Sequence, residues 1–100
     1  MGFKMTNVDE ILEERGSKYG DFGAGSELEA NMLEMIAINC EVQTGTPMDF
    51  RSLIWVSKII MKLSRISVTP SHLDSWVDIE GYARLVVLQL KKELDNDQSN

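Results

Sequence analysis

The sequence predicts an all-α protein, a four-helix bundle-like domain in which a short first helix precedes three longer ones. Three observations predict it. Apolar residues recur at spacings of three and four over most of the chain. Only two prolines occur in 100 residues, and each follows a threonine in a helix-start pattern. Glycines 16, 20, 23, 25 and 45 fall where the periodicity stops. With 43% apolar and 26% charged residues, the chain has the composition of one globular domain with a modest core. Residues 1–6 and 95–100 read as loose termini.

Asn7 is placed to cap a short helix from Val8 to Arg15, with Asp9 and Glu10 in the first turn, where the helix dipole favours acid. Gly16 ends it. The segment from Ser17 to Gly25 has no period and reads as a loop. Arg15, Lys18, Tyr19 and Phe22 around it are groups that grip ligands; the alternative is that Tyr19 and Phe22 pin the loop to the bundle. Ser26 followed by Glu29 is a capping box, opening a second helix expected to be well buried over residues 27–42. Glu27, Glu34 and Glu41 recur at every seventh position as an acidic line, and Gly45 closes the helix.

Thr46-Pro47, with Asp49 at the third helical position, predicts the start of the third helix. Apolar residues surround nearly all of it from Phe50 to Ile66, so it is the central helix or is covered by a second subunit. Lys58, Lys62 and Arg65 share its one charged strip. Thr69-Pro70, with Ser71 as an alternative cap, predicts a fourth helix running to about Leu94. Its expected core face is Trp76, Ile79, Ala83, Val86, Val87 and Leu90. A second partly apolar side, with Gly81, Leu85 and Leu88, points to packing against another chain and hence to a homo-oligomer.

The net charge of −6 is uneven: residues 1–50 hold ten acidic and three basic side chains, residues 51–100 six and seven. An acidic chain without a basic patch argues against nucleic-acid binding, which draws its affinity from phosphate neutralisation. No apolar run approaches membrane-spanning length, and Thr6-Asn7 follow Met5 directly, without a signal-peptide pattern. Cys40 is the single cysteine, which excludes an internal disulfide. The expectation is a cytoplasmic protein.

Asp74 and Asp78 stand four apart on one helix face, where two like charges call for a cation. Mg²⁺ bridging substrate phosphates is the functional candidate; the alternative is an ion pair with Lys62 or Arg65. His72, in the first turn, could cap, bind an anion or act as a base, and Tyr82 could stack on a base or simply pack. Lys58, Lys62 and Arg65 need counter-ions, whether carboxylates or a ligand's phosphates.

The runs Lys62-Leu-Ser-Arg65 and His72-Leu-Asp74-Ser-Trp-Val-Asp78-Ile-Glu-Gly81-Tyr82-Ala83, with Arg15-x3-Tyr19-Gly20, resemble a family of small phage-encoded proteins of undetermined function. More distantly, the acidic helix is similar to the MazG-type all-α nucleoside-triphosphate pyrophosphohydrolases. That second resemblance implies an oligomeric bundle with Mg²⁺ held by Glu-x2-Glu and Glu-x2-Asp helices. This chain departs from the pattern: its pair is Asp-x3-Asp, and its one Glu-x2-Glu, Glu10/Glu13, lies on the short first helix. A full metal cluster would draw on another helix, with Glu34 as the candidate. The expected function is handling of a phosphorylated nucleotide in a phage-infected bacterium, with Mg²⁺-dependent pyrophosphohydrolysis as its enzymatic form. The alternative is a non-catalytic helical oligomer that sequesters a nucleotide or binds a host protein.

Overall fold

A computed structural model of the chain describes residues 7–10 and 22–98. All the regular structure there is helical: a short segment at residues 7–10 (α1), then α2 (Phe22–Thr44), α3 (Phe50–Val68) and α4 (Leu73–Gln98). The remainder of the expected first helix, together with Arg15, Lys18 and Tyr19, lies outside the described residues. α3 is the central helix, packed on one side by α2 and on the other by α4. Short connections make each neighbouring pair antiparallel, so α2 and α4 point the same way. No helix among the described residues is long and apolar enough to cross a membrane.

Glycines 23 and 25 are helical, not part of a loop: α2 begins at Phe22 and Ser26 lies inside it. At Gly25 a methyl group would sit 3.4 Å from Ser64 Oγ on α3, an ordinary van der Waals distance. α2 ends as expected. Gly45 takes φ +75°, and its N–H donates to the Glu41 carbonyl at 2.8 Å, the left-handed helix stop that glycine adopts without strain.

α3 is capped by Asp49 in place of Thr46. The Asp49 carboxylate accepts from the Ser52 N–H at 3.0 Å and from the Ser52 hydroxyl at 2.7 Å, two bonds where a threonine cap would make one. Those bonds, the hydroxyl's first, hold the Asp49 carboxyl below its usual range. At the other end the Thr69 N–H returns to the Arg65 carbonyl at 2.9 Å. The Trp76 indole N–H donates to the Pro70 carbonyl at 2.8 Å and fixes the corner before α4. α4 therefore starts at Leu73, later than the Thr-Pro signal implied, and runs to Gln98, beyond Leu94.

The interior is thin. Among the described residues Ile60 is the only buried apolar side chain, at 2% exposure, and α2 buries none, contrary to the expectation for residues 27–42. On α4 the side turned to α3 is Ser75, Ile79, Tyr82 and Val86, whereas Trp76, Val87 and Leu90 of the expected core face are exposed. Periodicity locates apolar stripes but not the element that covers each one.

The Gly25–Ser64 contact yields a graded prediction. Gly25→Ala keeps ordinary van der Waals distance and removes a helix-interior glycine, so it should raise stability by about 0.5–1 kcal/mol. Gly25→Val should lower it by forcing α2 off α3. Thermal denaturation of the two variants checks the order.

Candidate functional site

Read backwards, α3 meets α4 read forwards: Lys62 faces Asp78, Lys58 faces Tyr82, and Arg51 faces Glu93. Each step is about one or two helical turns, so one antiparallel register places every charged and aromatic group along the seam.

At the Lys62 step the seam is closed. Lys62 is only 9% exposed, and its ammonium donates to Asp78 Oδ2 at 2.8 Å. The ammonium sits at the edge, with its stem packed inside, as long basic side chains do. The bond from Lys62 holds the Asp78 carboxyl below the usual carboxylate range, and the positive charge of Arg65 acts in the same direction. His72 precedes α4, and its Nδ1 shares a hydrogen bond of 2.7 Å with the hydroxyl of the buried Ser75. The His72 carbonyl accepts the Ser75 N–H at 3.1 Å. His72 thus stands at the helix start, its ring tied to the Ser75 hydroxyl. Lys62, Arg65, His72 and Asp78 are brought together as a basic cluster around one carboxylate.

The metal ligand set does not form. Among the described residues no three His, Cys, Asp or Glu side chains come close enough to hold an ion, so Glu34 on α2 does not join Asp74 and Asp78. The cation that answers Asp78 is Lys62 itself. Asp74 stays exposed in the first turn of α4, where the dipole favours it.

One turn along, the seam opens into a groove of about 650 Å³ lined by Arg51, Trp55 and Lys58 of α3 and Tyr82, Leu85, Val86 and Gln89 of α4. Its size is within the range of small-molecule sites. The Arg51 guanidinium lies 4.7 Å from the centre of the Trp55 ring, and the Lys58 ammonium 5.8 Å from that of Tyr82. Arg51 also pairs with Glu93 and holds that carboxyl below its usual range. Lys58 is exposed and is in no ion pair among the described residues. Two cations and two aromatic rings over an apolar floor can take a planar anion.

Lys58 and Tyr82 are sequence-predicted members of this groove; Arg51, Trp55 and Gln89 are not. The signal for them is that residues 51, 55, 58, 62 and 65 step by four and three, the spacing of a single helical stripe. A smaller groove of about 260 Å³ between α2 and α3, lined by Ser26, Glu29 and Met61 among others, carries no such charge.

Residues 5–88 match the family described as Domain of unknown function (DUF6378), and the chain belongs to that family. Neither the curated proteins nor the solved structures contain a match. The family match establishes neither a phage origin nor kinship with MazG-type enzymes.

The ion pair sets a pH dependence. The folded pKa of Asp78 is lowered, so its stabilisation is complete above the unfolded carboxyl value of about 3.9 and is lost as pH falls through the lower folded value. Asp78→Asn should therefore melt below wild type at neutral pH, and the gap should close in acid below about pH 4. Asp74→Asn should melt close to wild type throughout.

Proposed function

We propose that this protein binds a small phosphorylated, base-bearing ligand, a nucleotide, in the groove between α3 and α4, and releases it unchanged. The observation that carries this is the convergence of Arg51, Trp55, Lys58 and Tyr82 on one groove of about 650 Å³. On a chain of net charge −6, a local pair of cations beside two aromatic rings supports recognition of an anion with a flat face. A base stacks on Trp55 or Tyr82, and the phosphates reach Lys58. Arg51 joins them at the expense of its bond to Glu93, so Glu93 acts as the ligand's competitor.

Binding without cleavage is favoured over pyrophosphohydrolysis because Asp78 is engaged by Lys62 and no carboxylate cluster stands beside the groove among the described residues. The nucleotide reading consequently moves about one turn from the Lys62–Asp78 step, where the sequence had centred it.

The test is thermal denaturation against a panel of nucleotides, cyclic ones included, with and without Mg²⁺, followed by recovery of the ligand. A ligand present at 100 times its dissociation constant raises stability by about 2.7 kcal/mol. Lys58→Ala and Trp55→Ala should each weaken binding about tenfold, and Glu93→Gln should strengthen it by freeing Arg51. Absence of any shift at millimolar nucleotide would sink the proposal. Mg²⁺-dependent release of pyrophosphate would replace binding with catalysis.

A further inference from the structure

The walls of the α3–α4 groove are short of hydrogen-bond acceptors. Of the side chains that line it, Arg51, Lys58 and Trp55 can only donate, and Leu85 and Val86 can do neither. The acceptor oxygens on its lining side chains are those of Tyr82 and Gln89. Tyr82 lies at the Lys58 step, where the ammonium stands 5.8 Å from the centre of its ring. Gln89 lies about two turns further along α4, between that step and the Arg51–Glu93 step. Trp55 stands between Arg51 and Lys58 on α3, so the indole and the Gln89 carboxamide share one stretch of the groove.

A neighbour on its own helix fixes which end of that carboxamide is on offer. Gln89 Nε2 donates to Glu93 Oε1 at 3.4 Å, and the same oxygen accepts from Arg51 Nη1. The amide contact is long and contributes little by itself. It nevertheless decides the amide's direction, because an ionised carboxylate accepts hydrogen bonds and donates none. The bonds from Arg51 and then from Gln89 hold the Glu93 carboxyl below its usual range, so it is ionised at neutral pH. Turning the amide over would set its oxygen against a carboxylate oxygen. With the nitrogen committed to Glu93, the carbonyl oxygen is what Gln89 has left for a ligand. Release of Arg51 to a phosphate leaves this unchanged, since Glu93 keeps its charge.

We propose that Gln89 sets the base preference of the groove: its carbonyl oxygen accepts an exocyclic amino group, so the ligand is a nucleotide whose base carries one, such as adenine or cytosine. The inference rests on the nucleotide reading of the groove and names the class of base within it. A keto base of the same ring puts an oxygen where the amino group stood, and two facing oxygens repel. Ring size matters less, because stacking on Trp55 is open to every base. Gln89 is exposed, so water competes for its carbonyl. The preference is therefore about tenfold, not the rejection on the order of 10⁴-fold that a sealed site achieves.

Isothermal titration of the full chain with adenosine, inosine, cytidine and uridine monophosphates compares two amino–keto pairs. The adenosine nucleotide should bind about tenfold tighter than the inosine one, and the cytidine nucleotide should exceed the uridine one by a similar factor. Gln89→Met keeps the length of the side chain and loses the carbonyl, so each ratio should fall to about one with the keto nucleotides bound as before. Gln89→Lys puts a donor in place of the acceptor and should reverse both ratios, in which its added charge cancels. Both replacements are good helix formers at an exposed position, and circular dichroism verifies the fold. If none of the four nucleotides binds at millimolar concentration, the nucleotide reading falls and this inference falls with it. If all four bind equally, or the keto members bind tighter, the groove is a nucleotide site and the amino preference is overturned. A preference that survives Gln89→Met overturns the role of Gln89 alone.

Discussion

The register of α3 against α4 is the constraint on which the rest of the structure depends. Among the described residues Ile60 is the only buried apolar side chain, and the other apolar contacts of α3 are half-buried, so apolar packing alone leaves the sliding of one helix along the other weakly determined.

Where apolar burial is scarce, polar contacts decide how the helices line up. The Lys62–Asp78 pair, the Trp76 indole on the Pro70 carbonyl and the Asp49 cap set the ends and the register of α3 against α4. Asp78 is largely exposed and the Lys62 ammonium sits at the edge of the seam, so water screens the pair. The pair is thus a positional device more than a source of stability. It also determines what lies next to it. With Lys62 held by Asp78, the next turn brings Lys58 and Tyr82 into an open groove with Arg51 and Trp55, and that groove keeps a basic group outside any ion pair among the described residues.

The helical class, the central place of α3 and the stop at Gly45 were legible because period and turn chemistry are local properties. The capping residue of α3 was harder, since Thr46-Pro47 is a good start signal and only the second bond from Ser52 makes Asp49 better. Gly23 and Gly25 read as a loop because glycine is the usual turn residue and nothing local shows that α2 runs through both. The groups of the α3–α4 seam were partly legible. The charges of Lys62, Arg65 and Asp78 stood out, but which of them satisfy each other depends on register, and register follows from the whole corner between Thr69 and Leu73. Trp55 looked like a core residue because nothing local distinguishes an aromatic ring on a groove wall from one in a core.

The central claim is that the Lys62–Asp78 pair fixes the register of α3 against α4 and so brings Lys58 and Tyr82 to one groove. A double-mutant cycle on Lys62→Ala and Asp78→Ala, read by equilibrium urea denaturation at neutral pH, tests it most directly. A working pair predicts that the double variant loses less stability than the two single losses added together. Strictly additive losses would mean that the two side chains act independently, and the account would be contradicted.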